Sequence, residues 1–149
     1  MTDIRKFAAD PMAFFDALIF PSAFGAKPFK EVMADHQRKW FEAISPSLVA
    51  IAADQKPPIG RFWTERTKGG SKDTDSACVL LWLLAFSRRK LDMQVGAADK
   101  DQAGEVKKAA SDFLRLNPWL ASRVEPQAWS LKCEATGSEC SIIAADVAG

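Results

Sequence analysis

Histidine occurs once in this chain, at His36, and cysteine three times, at Cys78, Cys133 and Cys140. A single imidazole leaves a catalytic triad or a histidine-rich metal site without support, and His36 reads as a helical residue, on the surface or partly buried. The cysteines are odd in number, lack metal-ligand spacing and follow no secretory signal, which suggests reduced thiols used for packing in a cytoplasmic compartment. An excess of charge is also missing. Lys and Arg number 20 against 19 Asp and Glu, a net charge of +1, so nucleic-acid or membrane binding would have to rest on a local patch. Long apolar runs are absent too: the longest, Ala77 to Phe86, covers about half of the roughly twenty residues a membrane span needs, and it reads as a buried helix. No internal repeat is seen. What remains is an ordinary globular composition, 48% hydrophobic and 26% charged over 149 residues, enough for one domain with an enclosed core.

Proline punctuates a helical first half. Asp10 before Pro11 is a cap followed by a favoured first helical residue, and MAFFDALIF continues until Pro21. In FKEVMADHQRKWFEAI, residues Phe29, Val32, Met33, Trp40, Phe41 and Ile44 share a face, predicting a second helix that Ser45 and Pro46 end. SLVAIAA adds a turn or two, and Lys56-Pro57-Pro58 makes a stiff connector. Beyond it the pattern alternates. IGRFWTE, Ile59 to Glu65, has strand composition, and ACVLLWLLAF is helical, capped by Asp73, Thr74 or Asp75 and closed by Arg88, Arg89 and Lys90. LDMQVGAA predicts a strand, and Asp99 caps a helix carrying Ala103, Val106, Ala110, Phe113 and Leu114 as far as Asn117-Pro118. WSLKC and ECSIIAA, joined at Thr136-Gly137-Ser138, read as a hairpin or neighbouring strands. Such alternation predicts an α/β domain with a mostly parallel sheet flanked by helices, because parallel strands need a crossover. The expected division is a helical N-terminal segment, 1–56, and an α/β part, 57–149.

Between the predicted strand and helix lies TERTKGGSKDTDSA, Thr64 to Ala77. Glycines allow close approach there, free N–H groups and the positive helix end favour a polyanion, lysine adds charge, and a hydroxyl can ligate magnesium. The usual pattern of glycine, four residues, glycine, lysine, then serine or threonine is met at no register. With Ser71 in its place, Thr64 stands for the first glycine and Gly70 for the lysine, so the ammonium would come from Lys68 or Lys72, with Arg66 as a third cation. A solvated turn capping a helix accounts for the same residues. The five tryptophans, Trp40, Trp63, Trp82, Trp119 and Trp129, sit in periodic apolar segments and read as core rather than base-stacking residues. Lys107 with Lys108, and Arg88 to Lys90, read as solvated faces. Asp99 and Asp101 follow a strand on the nucleotide side of a parallel sheet, and capping explains Asp99.

HQRKWFEAI, FWTERTKGGSKDTDSACVLLWLLAF, VGAADKDQAGEVKKAASDFLRLNPWL and GSECSIIAADVAG, in this order and spacing from about His36 to the end, resemble the N-terminal part of a phage terminase large subunit. That family consists of ATP-driven motors packaging viral double-stranded DNA, with a P-loop ATPase domain followed by a metal-dependent nuclease domain. Its phosphate loops are often irregular. The resemblance implies a partial P-loop NTPase-like fold and a deviant Walker A loop of Arg66, Lys68, Gly69, Gly70, Ser71 and Lys72 holding ATP and Mg2+. It implies Ser71, or Thr74, as the magnesium contact, Lys72 ahead of Lys68 on the phosphates, and Arg66 on charge developing in transfer. Gln37 resembles the glutamine that reads adenine upstream of the loop, which suits a carboxamide facing N6 and N7; a solvated helix position explains it equally well. The implied partners are double-stranded viral DNA, a terminase small subunit and a portal, with a homo-oligomeric ring for the full-length motor in the host cytoplasm.

A P-loop ATPase also needs an acidic residue ending a second core strand, with a carboxylate beside it to activate water. SIIAAD ends in Asp146, but Val147 follows. The expectation is therefore a fragment, of phage or prophage origin, that ends before Walker B and binds nucleotide without efficient turnover. A non-catalytic α/β interaction module, or a nucleic-acid-binding one with steep salt dependence, is the alternative.

Overall fold

The computed structural model describes residues 4–65 and 72–144. The chain opens with helix α1, Ile4–Ala9, and α2, Pro11–Ala17, separated by Asp10. Asp10 caps as its position predicts: Oδ1 accepts from the N–H of Met12 at 3.0 Å and of Ala13 at 3.3 Å. The expected continuation to Pro21 is overturned, because the chain turns extended at Leu18 and pairs β1, Ile19–Ser22, with β2, Gly25–Pro28, as a two-stranded antiparallel ribbon. Gly25 supplies the turn's positive φ of 99°.

A short helix α3, Phe29–Val32, precedes α4, Asp35–Ala52. The single helix expected over Phe29 to Ile44 is thus interrupted at Met33 and Ala34, both extended. Nor does Pro46 end α4, which runs through it to Ala52. Pro46 is exposed whereas Ser47, Leu48, Ala50 and Ala52 are buried. The missing N–H thus falls on the wet side of the helix, where water can serve the Glu42 carbonyl, while burial holds the last turns in place.

Ile59 to Glu65, expected as a strand, pairs with no strand among the described residues. Ser47 Oγ donates to the Ile59 carbonyl at 2.9 Å and accepts from the Ile59 N–H at 3.3 Å. Phe62 and Trp63 are exposed, so its β-forming residues gain no burial. Helix α5, Lys72–Phe86, begins earlier than the apolar run, placing Asp73, Thr74 and Asp75 within its first turn rather than at its cap.

β3, Asp92–Ala97, leads into α6, Lys100–Leu116, whose cap Asp99 accepts from the Gln102 N–H at 2.9 Å. α7, Pro118–Ala121, and the two-residue strand β4, Glu125–Pro126, follow. β5, Ser130–Cys133, and β6, Ser138–Ala144, close the described chain. The sheet order is β3-β6-β5-β4, with β3 and β6 parallel and the other two pairs antiparallel. The mostly parallel arrangement expected from the alternation is therefore not what this sheet shows. The turn from Glu134 to Gly137 is too short for a crossover, so β5 and β6 must run in opposite senses, whereas α6 lies between β3 and β6 and permits a parallel pair. Gly137, at φ 75°, makes the tight turn possible.

α5 is the central element. Leu81, Trp82 and Leu84 are fully enclosed, and α2, α4, α6, β5 and β6 pack around the helix. Trp82 donates from Nε1 to the Phe7 carbonyl at 2.9 Å, which ties α1 to the core. Phe14, Phe15, Phe29, Phe41 and Phe113 belong to the same buried cluster, with Phe15 stacked on Phe41 at 4.3 Å between centroids. Each such burial contributes about 1.5–3 kcal/mol, so the aromatic cluster outweighs the polar ties. One buried cluster runs from Phe7 to Cys140 and spans both sides of the connector at 56. Trp40 and Trp119 pack against it as expected, but Trp63 and Trp129 are exposed. The three cysteines are free, buried thiols. Among the described residues no helix is long and apolar enough to cross a membrane.

Candidate functional site

Of the residues expected to hold a triphosphate, Arg66, Lys68, Gly69, Gly70 and Ser71 lie outside the described residues, as does Asp146. Lys72, Thr74 and Gln37 lie within them. Lys72 is the first residue of α5 and is exposed; Thr74, half-buried, is in the same turn. Residues 66–71 precede in sequence the fifteen-residue helix α5, and at a helix start N–H groups and the positive end of the dipole favour negative charge. Asp73 and Asp75 in that turn satisfy part of the same preference, so a polyanion there would rely on the cations of Arg66, Lys68 and Lys72.

Gln37 is not a solvated helix position. It is 5% exposed, and its carboxamide is engaged at both ends. Oε1 accepts from the Ala34 N–H at 2.8 Å, closing the start of α4. Because Ala34 has no side-chain acceptor, this is the returning half of a capping box without its partner. Nε2 donates to Asp75 Oδ1 at 2.8 Å, in a buried contact joining α4 to the first turn of α5. Asp75 itself is 1% exposed. One turn further on, the Cys78 thiol is pushed well above its ordinary range, by burial first and the Asp75 charge second. Adenine reading and the Asp75 contact therefore draw on the same atoms of Gln37. Sequence reasoning identified Gln37 but took Asp75 only as a possible cap; a carboxylate so close to a fully apolar helical run was the available signal that it needs a buried partner.

Other residues singled out in the sequence are structural. Arg89 donates from Nε to the Ile51 carbonyl at 3.2 Å and pairs with Asp54 at 3.3 Å. Lys107 Nζ donates to the Ala128 carbonyl at 2.8 Å. His36 is exposed on α4. Among the described residues, no group of three or more histidine, cysteine or acidic side chains converges as a metal site would. A cleft of about 960 Å³ lies at the other end of α5, lined by Arg5, Arg88, Arg123, Lys132, Glu125 and Glu134 among others. At 1.5 Å per residue, α5 separates it from Lys72 by about 20 Å.

The described residues form an α/β domain in which the buried central helix α5 packs against a mixed sheet. Comparison with solved structures finds this arrangement in the crystal structure of the HK97 bacteriophage large terminase, with a TM-score of 0.70 and 16% sequence identity. The match covers 93% of this chain and 27% of the terminase chain, so this chain spans about a quarter of that protein's length. The domain has a terminase-like fold. No protein-family model matches the chain, and no curated protein matches it.

Proposed function

We propose that this chain is the N-terminal part of a terminase large-subunit type ATPase domain and binds ATP with Mg2+ through the deviant Walker A loop from Arg66 to Lys72. The observation that carries this reading is the likeness to a large terminase over 93% of the chain. The loop's position ahead of α5 supports it, since the helix start offers N–H donors to a phosphate chain. Lys72 is the first candidate for the β- and γ-phosphates and Lys68 the second; Ser71, or Thr74, holds the magnesium, and Arg66 meets charge on the transferred phosphoryl. In the full-length motor, acting in the host cytoplasm, this site would help to drive translocation of viral double-stranded DNA alongside a small subunit and a portal. The chain alone would bind nucleotide without efficient turnover, since its one candidate for the acidic strand end, Asp146, is followed by Val147.

Isothermal titration calorimetry of the chain with ATP, with and without Mg2+, tests the proposal. The expected result is magnesium-dependent binding that Lys72→Ala weakens by about tenfold or more, the loss of one charged contact to phosphate. Absence of binding at millimolar ATP, or binding untouched by Lys72→Ala and Lys68→Ala together, overturns it. Brisk magnesium-dependent hydrolysis abolished by Lys72→Ala would overturn the binding-only part.

A further inference from the structure

The cleft at the C-terminal end of α5 draws its cations from separate elements: Arg5 from α1, Arg88 from just past α5, Arg123 from just past α7, and Lys132 from β5. Two carboxylates, Glu125 and Glu134, also line it. Lys132 is already matched, since it stands in register with Glu125 on β4 and with Glu139 on β6, and its Nζ lies 3.7 Å from Glu139 Oε2. That leaves three arginines against Glu134. Arg123 is held in place: Nη1 donates to the Ala85 carbonyl at 3.2 Å, and the guanidinium carbon stands 5.5 Å from the centre of the Phe86 ring. This one bond serves a carbonyl at the end of α5, and the rest of its five N–H donors remain for a ligand. Arg88 has its backbone fixed by an N–H bond to the Ala52 carbonyl at 3.0 Å, while its side chain is exposed and forms no ion pair among the described residues.

We infer that this cleft binds phosphate groups, with Arg88 and Arg123 holding the anion, and that it does so independently of any triphosphate site ahead of α5. An arginine fork meets two phosphate oxygens at once. Cations arriving from several elements suit a tetrahedral group, which spreads its oxygens to several sides, better than a carboxylate, which presents two oxygens in one plane. Phe86 and Val124, both buried, back the cleft with apolar surface, where a charge-assisted bond gains strength from the low local dielectric. The neighbouring hydroxyls are already spent as donors: Ser87 Oγ donates to the Arg89 carbonyl and Ser122 Oγ to the Trp119 carbonyl, each at 2.7 Å. An incoming anion therefore finds the arginine N–H groups first. At about 960 Å³ the cleft has room for a small polyphosphate compound or for successive phosphates of a polynucleotide strand.

Calorimetric titration with sodium pyrophosphate tests this on the chain carrying Lys68→Ala and Lys72→Ala, so that failure here leaves the triphosphate reading untouched. Binding with a Kd of about 0.1–1 mM is expected, weakened about tenfold by Arg88→Gln and by Arg123→Gln. Citrate, a tricarboxylate, should bind at least about tenfold more weakly than pyrophosphate. Arg123→Gln also loses the contacts to Ala85 and Phe86, so if that variant fails to fold, Arg88→Gln, at an exposed side chain, decides the matter. No binding at about 10 mM pyrophosphate, or binding untouched by Arg88→Gln, overturns the inference. Citrate held as tightly as pyrophosphate overturns the assignment to phosphate. A fluorescent strand of about ten thymidines separates the two sources of phosphate. A strand that binds through Arg88 and is displaced by pyrophosphate supports the cleft as a seat for a polynucleotide backbone; a strand that does not bind where pyrophosphate does supports a small soluble phosphate compound.

Discussion

Asn117 grips the backbone of Ile19 at both ends, accepting from its N–H at 2.9 Å through Oδ1 and donating to its carbonyl at 3.0 Å through Nδ2. Nδ2 also donates to the Phe113 carbonyl at 2.8 Å, and Asn117 is 1% exposed. One side chain at the end of α6 thus completes the edge of β1, 98 residues away in sequence. Asn117→Ala should leave two Ile19 groups and one Phe113 carbonyl without these partners, at a cost of about 2–3 kcal/mol. Urea denaturation followed by tryptophan fluorescence measures it, and a loss below about 0.5 kcal/mol would show that water takes over these bonds.

Pro46 gives the opposite expectation. It sits exposed inside α4, where proline forfeits the N–H bond to the carbonyl of Glu42, and Ser45 Oγ already bends back to the Phe41 carbonyl at 2.6 Å. Pro46→Ala restores that bond and a favourable helical residue, offset in part by a freer unfolded chain. A net gain of about 1 kcal/mol is expected, raising Tm by about 3 °C in differential scanning calorimetry. A lower Tm would mean that Pro46 is itself required for Ser47 to reach Ile59.

The parts legible in the sequence were those whose cause is local. Asp10 and Asp99 cap because a carboxylate before a helix bonds N–H groups two or three residues ahead, and α6 shows its buried face as spacing alone. Pro46 misled because a rule about one residue yields to burial of the residues after it. Ile59 to Glu65 has the composition of a strand, but a strand needs a partner, and composition does not name one. The sheet was expected to be mostly parallel from the order of elements, yet direction was settled by the length of one turn, Glu134 to Gly137. At the candidate site the sequence pointed to Gln37, but its bond to Asp75 spans 38 positions and leaves no periodic trace. The β1–β2 ribbon was hidden by Pro21 and Pro28, which mark turns more readily than edge strands.

The buried thiols make stability fall toward alkaline pH. Cys140 is enclosed on the inner face of β6, and burial first and the Glu139 charge second push its pKa from 9.0 to about 11; Cys78 moves in the same direction. An unfolded thiol gives up its proton near the ordinary value, while the folded one keeps it. Between those two pH values the unfolded chain therefore holds fewer protons, and by linkage unfolding becomes easier as pH rises. The contribution is fully present below about pH 9 and lost on passing through about pH 11. Urea midpoints at about pH 8 and about pH 10.5 should show a drop in the wild-type chain and a shallower drop in Cys140→Ala, which removes one of the titrating groups. Every other group is common to both chains, so the difference between the two slopes isolates the thiol. Equal slopes would mean that the Cys140 proton is not held by the fold, and that β6 opens to solvent before the thiol titrates.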